Sequence, residues 1–181
     1  MQKQLVVALI IIFLLGFKLF PISVGNRIPP FFLESGDNKY LNSDELRNKV
    51  IFFFYDHRDT FLQNNEFKKQ LFMHYHALTP EEQNLIAIVQ VIDCAETNML
   101  NRFFWKRSLV KNSREYEFRI WGDWDGVVKK SYNFRDEESY MLVVDRNSKV
   151  IYFDEQLFDL TKIRQITEMV MEILLKKTVA K

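Results

Sequence analysis

Residues 50–55, Val50 through Tyr55, form an uninterrupted apolar run set between Lys49 and Asp56. Six residues are too few for a packed helix, and these are rich in β-formers. The run therefore predicts a strand covered on both faces. A polar stretch follows, and then Phe67, Leu71, Tyr75 and Leu78 recur at helical spacing. Thr60, with Gln63 three residues on, has the form of a capping box and predicts the start of that helix. Residues 85–92 make a second apolar run, ending in Asp93-Cys94, and predict a second buried strand. Strands of this kind joined through a helix belong to α/β sheets, whose ligands lie beyond the carboxyl ends of the strands. Residues 56–60 occupy such a place.

The rest of the pattern completes the order. Pro29-Pro30 forbids helix, and residues 31–33 predict an edge strand, followed by a turn at Ser35-Gly36-Asp37-Asn38. Residues 43–47 suit one helical turn. Thr79-Pro80-Glu81-Glu82 caps another, with proline at the first helical position. Residues 98–110 predict a helix. Residues 116–121, a tight turn at 122–126 and residues 127–132 read as a strand, a turn and a returning strand. Residues 140–144 and 149–153 flank Asp145-Arg146-Asn147-Ser148 as a closing hairpin. A last helix begins at Asp159 or Thr161 and buries Ile163, Ile166, Val170, Ile173 and Leu174. The predicted fold class is α/β: a three-layer thioredoxin-like arrangement with a central mixed sheet and an inserted hairpin before the closing hairpin.

The first residues bear on compartment. Lys3 precedes an apolar run at 5–15, and residues 16–24 continue it with one interruption at Lys18. Residues 1–24 therefore read as an export signal or as an uncleaved signal-anchor helix, with a single domain over 25–181. Both readings place the domain outside the cytoplasm, in the periplasm, with the inner membrane reached through the N-terminal helix if it is uncleaved.

Composition excludes several classes. Lys and Arg number 25 against 24 Asp and Glu, so no overall field draws the 181-residue chain to nucleic acid. The basic cluster Arg102, Lys106, Arg107, Lys111 and Arg114 reads as a solvated helix face. Cys94 is the only cysteine, which rules out an intrachain disulfide. Asp56, His57, Asp93, Glu137 and Glu138 share one expected edge, but their spacing shows no metal site. Asp123-Trp124-Asp125-Gly126 resembles a calcium loop without its remaining ligands. No cofactor is expected.

Several ordered motifs resemble the peroxiredoxin-like branch of the thioredoxin superfamily. They are Val24-Gly25-Asn26-Arg27-Ile28-Pro29-Pro30-Phe31, then Phe118 with Asp123, Gly126 and Val128 ahead of Tyr132-Asn133-Phe134, then the closing hairpin. Lys106-Arg107-Ser108-Leu109, Lys111-Asn112-Ser113 and Asp136-Glu137-Glu138-Ser139 before Leu142-Val143-Val144-Asp145 resemble the YtfJ-type family of exported bacterial thioredoxin-fold proteins. That resemblance covers roughly residues 24–175 and implies fold and export, without an activity.

Resemblance also implies where a thiolate belongs. The peroxiredoxin pattern Pro-x-x-x-Thr-x-x-Cys falls on Asp56, Thr60 and Gln63, and the thioredoxin Cys-x-x-Cys on Arg58 and Phe61. Neither register supplies sulfur, and an amide cannot replace a thiolate as nucleophile. The expected function is a non-catalytic binding or accessory role in the cell envelope, toward a protein or a small molecule. The alternative is a thiol-dependent redox or peroxidase-like protein using Cys94. The binding residues expected at the strand ends are His57, Arg58, Asp93, Glu138 and Ser139.

Overall fold

In the computed structural model, which describes residues 21–175, seven strands pair into one mixed sheet. They are β1 Phe32–Ser35, β2 Tyr40–Asn42, β3 Val50–Asp56, β4 Ile86–Asp93, β5 Ile120–Asp123, β6 Ser139–Val144 and β7 Val150–Glu155, arranged β2-β1-β5-β4-β3-β6-β7. β3 runs parallel to β4, and β4 parallel to β5. β6 lies antiparallel beside β3, and β7 beside β6. The two apolar runs are thus the sheet's interior. The helices are α1 Asn65–His76, α2 Pro80–Gln83, α3 Met99–Glu115, α4 Val127–Tyr132 and α5 Ile163–Leu175. The N-terminal signal or anchor reading falls mostly on residues 1–20, outside those described. No helix among the described residues is long and apolar enough to cross a membrane.

β3 is buried along its whole length because its alternating side chains feed two cores. Ile51, Phe53 and Tyr55 pack with Tyr132, Phe134, Tyr140 and Ile22 on one face. Val50, Phe52 and Phe54 pack beneath α1 and α5 on the other, where Phe67, Leu71, Ile166 and Val170 are buried. Each such large apolar side chain contributes about 1.5–3 kcal/mol. The stripe expected for α5 forms as read, with Ile173 only partly covered. Thr79 makes the predicted capping box with Glu82.

Three expectations are corrected. Residues 127–132 are not a returning strand, so no inserted hairpin precedes the closing one. Asp123 accepts hydrogen bonds from the N–H groups of Val128 and Lys129, and Gly126 turns the chain at φ +67, which starts a helix instead. Val128 and Tyr132, four apart, then share its buried side. Residues 31–33 are not an edge strand: β1 pairs with both β2 and β5, and β2 is the edge. Thr60 does not cap the first long helix. α1 starts at Asn65, and its N-cap residue Asn64 makes no side-chain cap: its amide donates to the Gln156 carbonyl and accepts from the Phe158 N–H. Residues 57–64 become a turn-rich loop, clasped to the segment after β7.

Candidate functional site

Beyond the carboxyl ends of β3 and β4 and the start of β6, two polar clusters lie back to back. Register explains them. Asp56 pairs across the sheet with Ser139 on one side and Ile92 on the other, so its neighbours in sequence alternate between the sheet faces.

On the helix α1 face, Asp56 is fully buried. Its Oδ2 accepts from Lys68 Nζ at 2.6 Å and Gln90 Nε2 at 2.6 Å, and its Oδ1 from Ser139 Oγ at 2.7 Å. Thr60 joins through Ser139 at 3.1 Å and donates to the His57 carbonyl. Burial pushes the Lys68 ammonium below its ordinary range, while Asp56 pulls the other way. The ammonium also lies over the rings of Phe61 and Phe54, at 4.8 and 5.6 Å. Gln90 Oε1 is buried without a partner. The cluster ties the 57–64 loop to β3, β4, β6 and α1.

On the opposite face lies a chain of charges. Asp93 Oδ2 accepts from Lys129 Nζ at 2.8 Å, and Lys129 also pairs with Asp136, whose carboxylate senses His57. The two carboxylates outweigh the burial of Lys129 and hold its pKa high. Lys129 in turn holds Asp136 below the usual carboxylate range. His57 Nδ1 accepts from the Asp59 N–H at 3.3 Å. Glu138 accepts from Tyr140 Oη at 2.7 Å and pairs with Arg135 at 2.8 Å.

The expected site residues therefore share one end of the sheet and divide among its faces. Asp93 belongs to the charged chain and His57 acts on its Asp136, whereas Glu138 is held apart by Arg135 and Tyr140. Arg58 reaches toward α3, 3.9 Å from Glu96 and 5.9 Å from the Trp105 ring. Ser139 is buried and holds Asp56. Sequence reading singled out neither Lys68 nor Gln90. The signal was present: Gln90 interrupts an apolar strand, and Lys68 falls on the buried stripe between Phe67 and Leu71.

Gln63 is exposed, where the peroxiredoxin register would need its thiolate. Cys94 lies at this end too, but buried among Phe61, Ile92, Leu109 and Ile120. Burial, then the charges of Asp93 and Asp123, push its thiol far above the ordinary range. A thiolate is the reactive form, so this environment makes Cys94 a poor nucleophile. Asp123 is itself raised by burial, although it accepts from Tyr55 Oη and two backbone N–H groups. Among the described residues, no group of three His, Cys, Asp or Glu side chains is placed to hold a metal ion.

No protein-family model matches the chain, and no curated protein matches it significantly. Solved structures do. A thiol-disulfide oxidoreductase from Bacteroides fragilis superimposes with a TM-score of 0.59 at 15% identity, covering 80% of this chain and 99% of that one. The thiol peroxidase of Chromobacterium violaceum gives 0.58 at 10% identity, covering 83% and 88%. The exposed lipoprotein thioredoxin Etrx1 of Streptococcus pneumoniae gives 0.54 at 13%, covering 78% and 99%. At these identities the likeness speaks for architecture alone. The chain has the thioredoxin-like α/β fold, built around one seven-stranded mixed sheet.

Proposed function

We propose that this chain is an exported thioredoxin-fold protein of the YtfJ type that binds a protein or small molecule in the cell envelope without catalysing thiol chemistry. One observation carries the reading. The loop where the superfamily resemblance puts a thiolate holds Arg58, Phe61 and Gln63, and the sole cysteine is buried with a raised pKa. The binding surface is the strand-end rim of His57, Arg58 and Glu138. Asp93 holds Lys129 behind it, and Ser139 anchors the loop from below. An apolar N-terminal segment behind Lys3 supports export.

The test has two parts. Purified protein is expected neither to reduce insulin disulfides nor to consume peroxide. A photo-crosslinker at Glu138 is expected to capture an envelope component, and His57→Ala with Arg58→Ala to abolish capture without lowering Tm much. Redox turnover that vanishes in Cys94→Ser would overturn this reading in favour of a thiol-dependent enzyme.

A further inference from the structure

Helix α3 carries a face that nothing in the described fold covers. Leu100, Phe103 and Phe104 are 83%, 61% and 67% exposed. Arg107, Lys111 and Arg114 continue the same side of the helix toward its carboxyl end, at the i, i+4, i+7 spacing of one face. These three cations form no ion pair among the described residues, whereas Arg102 and Lys106, one face over, are both held by Glu34 at 2.7 and 2.5 Å. The Arg107 guanidinium lies 5.8 Å from the centroid of the Phe103 ring. Large apolar side chains in water beside unpaired guanidinium groups have the composition of an interface rather than of a solvated helix face.

The surface is concave. α3 and the β1–β2 turn enclose a groove of about 740 Å³, lined by Phe103, Arg107, Val110, Lys111 and Arg114 on the helix side and Asn38 on the turn side. The walls are fixed to each other. Gly36 lies so close to the Lys106 carbonyl that a Cβ there would collide with it, and Lys106 Nζ donates to Asn38 Oδ1 at 2.6 Å. The groove's lining holds no carboxylate. Asp37 and Glu117 enter only the adjoining depression, where Asp37 is engaged by Arg119 at 3.4 Å.

From this charge asymmetry we infer that the groove is a docking site for an acidic segment of another protein, with an apolar anchor side chain against Phe103 and carboxylates on Arg107, Lys111 and Arg114. The three cations span about 10 Å along the helix, the length of two helical turns or of a short extended strand. A groove with a wall on either side suits a protruding segment better than the flat surface of a bilayer. The site is separate from the strand-end rim and stands whether or not that rim binds anything.

The test uses the full chain in neutral detergent. The probe is a fluorescein-labelled peptide of repeated Glu-Glu-Leu-Phe units, followed by anisotropy against its Lys-for-Glu counterpart. The acidic peptide is expected to bind saturably and to weaken as salt rises. Lys111→Glu with Arg114→Glu is expected to cost about tenfold or more in affinity. His57→Ala with Arg58→Ala is expected to leave binding unchanged, which separates this site from the rim. No binding, equal binding by the Lys peptide, or equal binding by the charge-reversed variant would overturn the proposal. A second arm measures hydrogen exchange of residues 99–115 with the chain in phosphatidylcholine or phosphatidylglycerol vesicles. Protection that appears with the anionic lipid and no peptide would assign the face to a membrane and end the peptide reading.

Discussion

Lys68 places its Nζ 2.6 Å from Oδ2 of Asp56, and both side chains are out of water. A buried pair of this kind repays its desolvation only while its hydrogen bonds are complete. Here Gln90 and Ser139 supply the remaining donors to the carboxylate. Lys68→Met keeps the stem's volume and leaves Asp56 with two neutral donors. Asp56→Leu leaves an ammonium, an amide and a hydroxyl together without their acceptor. Each is expected to lower unfolding stability in urea by roughly 3–5 kcal/mol, with Asp56→Leu the worse. The double variant is expected to cost clearly less than the sum. Strict additivity would show that the two groups are not coupled.

How far this fold was legible depended on how many signals agreed at each place. In β3, apolar content, β-propensity and short length all pointed the same way, and its position between β4 and β6 followed from element order. Residues 127–132 carried conflicting signals. Val127, Val128 and Tyr132 suit a strand by propensity, while Val128 and Tyr132 suit a helix by spacing. The decision fell to the Asp123 carboxylate and to Gly126, contacts that six residues of pattern do not contain. Thr60 departs from its capping-box pattern for a related reason. Its hydroxyl donates to the His57 carbonyl, three residues back, and accepts from Ser139, 79 residues on, and no local rule foresees Ser139. At the candidate site, the common end of His57, Asp93 and Ser139 followed from strand order. The split between faces needed the register of Asp56 against Ser139.

Gly36 tests how tightly the turn and α3 are joined. Its hydrogen faces the Lys106 carbonyl, Val110 and Leu109, and the obstructing atom is backbone. Gly36→Ala is expected to cost about 1–3 kcal/mol, the usual penalty for overpacking. Hydrogen exchange along α3 should speed up in the variant. Unchanged stability and exchange would mean that helix and turn can separate at little cost.

Cys94 supplies a chemical test. Because burial disfavours its thiolate, a disulfide reagent such as Ellman's should label native protein only as fast as the structure opens, and denatured protein at once. Cys94→Ala is expected to keep the fold, with a stability loss of about 1–2 kcal/mol for the small cavity left behind. Immediate stoichiometric labelling of native protein would place the thiol in reach of solvent and revive the redox alternative.

Glu34 gives a prediction in acid. Burial opposes its ionisation, but the hydrogen bonds from Lys106 and Arg102 outweigh burial and hold its carboxyl below the ordinary value of 4.5. The folded state therefore releases this proton more readily than the unfolded chain. Glu34 stabilises the fold at any pH above 4.5, and that contribution fades as pH falls through 4.5 toward the folded value. Glu34→Gln removes the linkage. In urea titrations the variant is expected to be less stable than the parent near neutrality, and the gap is expected to narrow as pH drops below 4.5. In strong acid Glu34 of the parent is protonated and no longer an ionic partner of Lys106 and Arg102, so there the gap reduces to the difference between two neutral side chains. A gap of constant size from neutral pH into strong acid would show that Glu34 titrates alike in both states, and that its two cations do not hold it.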